Sequence, residues 1–164
     1  MNLLAIDTST ERMSIGVQRS DVARPWLEEG AGGAAASAHL IAAIQSLMRQ
    51  ADLSFAQLDA VVFGAGPGSF TGLRTACSVA QGLAYGAGVP VLPVSTLLAV
   101  AEAAVEALPD RTGLRVMAAL DARMDELYVA GFEWASQGWQ EIVAPVLRSE
   151  EHTSELQSPD HLVC

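Results

Sequence analysis

The stretch Gly64-Ala65-Gly66-Pro67-Gly68-Ser69-Phe70-Thr71-Gly72-Leu73-Arg74 restricts what this chain can fold into more than any other. It follows the apolar run Ala60-Val61-Val62-Phe63 and opens a long small-residue segment, so it reads as strand, tight turn and helix. Gly64, Gly66 and Gly68 admit positive φ or close backbone approach, Pro67 fixes a turn dihedral, and Ser69 and Thr71 supply capping oxygens. Such a turn offers backbone N–H groups to an anion or to another backbone packed against it. The specific anion signatures are missing. A P-loop needs a Lys after the glycine, and the chain has none. A nucleophile elbow needs glycines two positions to either side of the serine, where Ser69 has Pro67 and Thr71.

Before this loop, Leu3-Leu4-Ala5-Ile6-Asp7 and the alternating Met13-Ser14-Ile15-Gly16-Val17 flank the polar turn Ser9-Thr10-Glu11-Arg12, which predicts a β-hairpin. A third strand is expected over residues 23–28, placed at a sheet edge by Pro25. A flexible Gly/Ala segment, residues 30–36, then leads to Ser37 as N-cap of a first helix. That helix carries Leu40, Ile44, Leu47 and Met48 on one face and ends before Asp52. The second helix, residues 70–85, presents the stripe Leu73, Ala76, Cys77, Ala80, Leu83 and Ala84. A strand over 89–94, a third helix from the cap Ser95 to the stop at Pro109, and strands over 114–121, 126–134 and 139–143 follow. The order is that of an α/β fold, a mixed sheet flanked by helices.

Charge narrows the function classes. The formal net charge of −10 disfavours direct binding to a phosphate backbone, which needs clustered cations, so nucleic acid is expected only through a partner. Residues 75–101 are uncharged, but Gly82, Gly86, Gly88, Pro90 and Pro93 divide them, as in a buried α/β core and unlike a membrane span. The N-terminus lacks a basic n-region and meets Asp7 early, which predicts a cytoplasmic protein. Cys77 and Cys164 show no ligand spacing, and His39 has Ala43 at i+4, so no metal site is expected. A triad of Ser69, His39 and Asp7 can be written down but rests on one histidine. From Arg148 the composition changes. Arg148-Ser149-Glu150-Glu151-His152-Thr153-Ser154-Glu155-Leu156-Gln157-Ser158 matches the translated read-through of a sequencing adapter, so residues 148–164 are expected to be a non-native tail.

Four spaced motifs carry a family resemblance: Leu4-Ala5-Ile6-Asp7-Thr8-Ser9; the Gly64-to-Arg74 loop; Val94-Ser95-Thr96-Leu97; and Asp121-Ala122-Arg123-Met124 with Glu126 and Tyr128. Over residues 1–147 the chain resembles the TsaB (YeaZ) family of the bacterial tRNA threonylcarbamoyladenosine machinery. The resemblance implies an actin-like ATPase fold of the ribonuclease H-like class. The first domain, residues 1–108, would be nearly complete, and residues 109–147 would open a truncated second domain. It also implies a non-catalytic, dimerising and activating subunit for TsaD-type threonylcarbamoyl transfer to the adenosine beside the tRNA anticodon. No cofactor would bind the chain alone, and ATP or ADP would enter only at the assembled complex. The implied partners are a TsaD-like transferase, a TsaE-like ATPase and a second copy docking through the same helices. Helix candidates for docking are Leu40, Ile44, Leu47, Met48, Leu73, Ala76, Ala80 and Ala84. The motif residues are Asp7, Thr8 and Ser9, Gly64 through Arg74, and Asp121 and Arg123. An actin-like kinase would carry a phosphate-turn glycine where Ser9 stands, so Asp7 is expected to brace the hairpin through Thr8 and Thr10. Asp121 to Glu126 reads as a charged turn between strands; Arg74 and Arg123 are candidates for an anion-binding pair whose separation the sequence does not give. The alternative is a stand-alone actin-like ATP-dependent enzyme or a glycoprotease-like hydrolase.

Overall fold

The computed structural model describes residues 1–136, 138–149 and 162–163, with backbone alone for residues 33–37 and 162–163. The chain divides into two compact units, Met1–Val94 and Ser95–Cys164.

The first unit is a five-stranded sheet of order β3-β2-β1-β4-β5. Strands β1 (Leu3–Asp7), β2 (Arg12–Gln18) and β3 (Trp26–Ala31) form an antiparallel meander, while β4 (Ala60–Gly64) and β5 (Val91–Val94) run parallel to β1. Alternation decides which side of each strand is buried. Leu4, Ile6, Met13, Ile15 and Val17 point into one core, where α1 (Gly33–Gln50) and α2 (Phe70–Ala87) cover them. Leu40, Ile44, Leu47 and Met48 of α1 are at most 2% exposed within that core.

Local chemistry explains both the agreements and the differences. Ser69 caps α2, accepting a hydrogen bond from the Gly72 N–H, and Gly88 closes it in the left-handed conformation. β3 lies at the edge as expected, but it runs Trp26–Ala31, so Pro25 precedes the strand and takes no part in its ladder. Residues 30–36 are not a loop: β3 extends to Ala31, and α1 begins at Gly33, ahead of Ser37. Alanines propagate a helix once it starts, and the Gly32 N–H donates to the Glu11 carbonyl at 2.8 Å, fixing the start.

In the second unit α3 (Thr96–Val105), capped by Ser95, lays Leu97, Ala101 and Val105 on a sheet of order β8-β7-β6-β9. Its strands are β6 (Arg115–Arg123), β7 (Glu126–Ala135), β8 (Gly138–Ser149) and β9 (Leu162–Val163). The division thus falls at Val94, one helix before the expected boundary at residue 108, because the apolar face of α3 packs with Val116, Ala118, Ala130 and Phe132. β8 outruns the expected 139–143: it pairs with β7 to its end, Leu127 opposite Arg148 and Glu126 opposite Ser149. The remainder of the expected tail, residues 150–161 and 164, lies outside the described residues.

A polar cluster ties α3 to this sheet. Arg111 donates to both Glu102 oxygens at 2.7 and 2.9 Å, and the Trp139 indole N–H donates to Glu102 Oε2 at 2.7 Å. Burial pushes the Glu102 carboxyl up, but the Trp139 and Arg111 hydrogen bonds and the Arg111 charge outweigh it, leaving it below the ordinary glutamate range. A depressed carboxylate stabilises the fold above the unfolded-state value, and that contribution is lost as pH falls through the folded value. Urea midpoints read by tryptophan fluorescence from about pH 6 to about pH 3 should therefore fall less steeply in Glu102→Gln than in the parent. Parallel curves would remove Glu102 from the acid response.

Candidate functional site

The glycine loop closes onto the turn after β1. The Ser69 N–H donates to the Ser9 carbonyl at 2.6 Å, and the buried Thr8 hydroxyl donates to the Gly72 carbonyl at 2.6 Å. The backbones meet so closely that side chains have no room. A Cβ on Gly72 would run into the Thr8 carbonyl, one on Gly68 would lie 2.8 Å from the Ser9 Cβ, and one on Gly64 would run into the Asp7 carboxylate. Gly66, at φ +103°, sits where side chains other than glycine are strained.

The structure thus brings together Asp7, Thr8 and Ser9 with Gly64, Gly68, Ser69 and Gly72. Asp7 does brace the hairpin, but through Ser9: its Oδ1 accepts from the Ser9 N–H at 2.7 Å and from the Ser9 hydroxyl at 2.6 Å. Thr8 serves α2, and Thr10 bonds the Arg12 carbonyl, since only Ser9 stands two residues on, at Asx-turn distance from the carboxylate. Ser9 is 2% exposed beneath the loop. Of the conceivable triad, the Ser69 hydroxyl caps α2 and Asp7 holds Ser9, while His39 is exposed on α1. Asp121 accepts from the Arg123 N–H at 2.6 Å across the β6–β7 turn, where Arg123, Met124 and Asp125 all have positive φ. Arg74 belongs to the first unit and Arg123 to the second.

Seven of the eight helix candidates require correction. Leu40, Ile44, Leu47, Met48, Ala76, Ala80 and Ala84 are all at most 2% exposed in the first unit's own core, and Leu73 is half-buried. Withdrawing each large buried side chain for a partner would forgo roughly 2 kcal/mol of burial, so the seven fully buried residues hold α1 and α2 to the sheet. Gly72, Ala76, Ala80 and Ala84 recur every four residues and face inward, which turns Phe70, Arg74, Ser78, Gln81 and Tyr85 outward. Phe70 is 69% and Tyr85 92% exposed, and a groove of about 450 Å³ lies among Phe70, Thr71, Arg74, Thr75, Ser78 and Val79. The exposed Tyr85 was legible in principle: it lies on the helical face opposite the four-residue repeat of small side chains.

Comparison with known proteins bears on this arrangement. The family model for TsaD, tRNA N6-adenosine threonylcarbamoyltransferase, matches residues 33–163. The tRNA threonylcarbamoyladenosine biosynthesis protein TsaB of Haemophilus influenzae is 41% identical over 78% of this chain and 52% of its own length. Its namesake in Escherichia coli K12 is 35% identical over 92% of this chain and 64% of its own length. Among solved structures, YeaZ from Pseudomonas aeruginosa superposes with a TM-score of 0.81 at 33% identity, covering 92% of this chain and 68% of that one. The chain therefore spans between half and two thirds of the curated relatives it matches. Its mixed sheet flanked by helices is the actin-like ATPase fold. Among the described residues, no helix is long and apolar enough to cross a membrane.

Proposed function

We propose that this chain, which belongs to the TsaB (YeaZ) family of tRNA threonylcarbamoyladenosine biosynthesis proteins, is a non-catalytic subunit that docks on a TsaD-like transferase and activates it. The observation that carries this reading is the division of labour on α2. Its glycine and alanine face is consumed by its own sheet and by the Thr8–Ser9 turn, while its opposite face leaves Phe70 and Tyr85 uncovered. Large exposed aromatics on a rigid helix are the anatomy of interface anchors. Inactivity is supported by the turn after β1. There Ser9 replaces a phosphate-turn glycine, and its hydroxyl is bonded to Asp7 beneath the loop.

In this reading the protein works in the cytoplasm. A TsaE-like ATPase joins the assembled pair, ATP or ADP enters only there, and tRNA is met through the transferase. A homodimer through α2 competes with the heterodimer. Calorimetry with the TsaD-family transferase of the same organism tests the docking. Phe70→Ala and Tyr85→Ala should each weaken binding about tenfold, with unchanged thermal melting. Parent-like affinity in both variants would move the interface elsewhere. ATP turnover by the isolated chain, abolished by Asp7→Ala, would overturn the non-catalytic reading.

A further inference from the structure

We propose that Arg74 receives a carboxylate side chain of the partner in the groove beside Phe70, making this ion pair the specificity contact of the α2 face. The inference rests on the docking reading above and goes further by naming the chemistry the partner must present. Between Asp59 and Glu102 the only charged residue is Arg74, so a cation stands alone on the exposed face of a helix in a chain of net charge −10. Arg12, Arg19, Arg111 and Arg115 all pair with carboxylates of this chain. Arg74, like Arg24, Arg49 and Arg148, forms no ion pair among the described residues, but it alone of these lies on α2. Its guanidinium instead lies over the Phe70 ring, 4.1 Å from the centroid.

That stacking matters physically. A guanidinium held over an aromatic ring by cation–π attraction keeps its N–H groups as a fork of donors matched to the two oxygens of a carboxylate. The ring also restricts the long side chain before any partner arrives, which lowers the ordering cost of binding. Thr71, Thr75 and Ser78 add hydroxyls to the groove and Val79 an apolar wall. The Thr75 hydroxyl donates to the Thr71 carbonyl at 3.0 Å and is committed within the helix, whereas Ser78 stands exposed with a hydroxyl able to donate to a carboxylate. A phosphate backbone would call for several clustered cations, and α2 carries one. A single acidic side chain on an otherwise uncharged partner surface matches the one cation that the groove carries.

The test is calorimetry of this chain with the TsaD-family transferase of the same organism at low and at high salt. Arg74→Gln should weaken binding by about tenfold or more and remove most of the salt dependence, because a truncated ion pair leaves its partner's charge unmatched. Arg74→Lys should retain the salt dependence at an intermediate affinity, since it keeps the charge and loses the planar stack. Circular dichroism melting of all three should coincide, Arg74 being exposed. If the parent binds and Arg74→Gln binds equally well, the carboxylate contact is wrong while docking stands. If the parent does not bind the transferase at all, the docking reading falls and takes this inference with it. Binding of tRNA by the parent alone, lost in Arg74→Gln, would identify a phosphate ligand and overturn the carboxylate.

Discussion

Gly72→Ala should destabilise the first unit by about 3 kcal/mol or more, whereas Gly82→Ala, ten residues along the same helix, should stabilise it by about 0.5–1 kcal/mol. On propensity alone both replacements favour the helix, since alanine restricts the unfolded chain more than glycine does. The surroundings reverse the sign at one of them. A Cβ at residue 72 meets the Thr8 carbonyl, with the carbonyl carbon at 2.9 Å, and both backbones are held, one in β1's turn and one in α2. Relief requires α2 to lift from the sheet, which also stretches the Thr8 hydroxyl bond to the Gly72 carbonyl. At residue 82 the added methyl meets nothing within 4 Å. Urea denaturation followed by circular dichroism measures both. Equal effects of the two substitutions would mean that the loop does not clasp the β1 turn.

The second large effect concerns Gly64 and Asp7. A Cβ at residue 64 collides with the Asp7 carboxylate, whose carbon would lie 2.8 Å away. A lone carboxylate would swing aside at little cost. This one is held by the Ser9 N–H and hydroxyl, and Ser9 is buried, so moving it strands two donors. Gly64→Ala is therefore expected to cost about 2–3 kcal/mol. Asp7→Ala should cost about 2 kcal/mol by orphaning Ser9. The double variant should cost clearly less than the two together, because removal of the carboxylate makes the room that the new methyl needs. Strict additivity in a urea-denaturation double-mutant cycle would show that the glycine answers to something other than Asp7.

Much of the fold was legible because its signals are local. Ser69 and Ser95 head α2 and α3 as cap chemistry predicts. The strand-turn-helix reading of the glycine loop holds for the same reason. Faces were harder. Leu73, Ala76, Cys77, Ala80, Leu83 and Ala84 describe a broad stripe, and small side chains carry too little hydrophobic signal to say whether a sheet or a partner covers them. The length of β8 likewise depended on its neighbour, since β7 supplies ten residues to pair with.

What the sequence determined by itself is the order of the main elements, the starts of α2 and α3 and the family. These follow from capping groups, alternation and motif spacing, which act within a few residues. Tertiary structure alone decided what the glycines are for. That Gly64, Gly68 and Gly72 answer to Asp7, Ser9 and Thr8 depends on β1 and β4 lying side by side in parallel, Ile6 opposite Phe63, which sets two distant turns in contact. Close approach of two backbones is a property of the pair, and neither segment carries it alone.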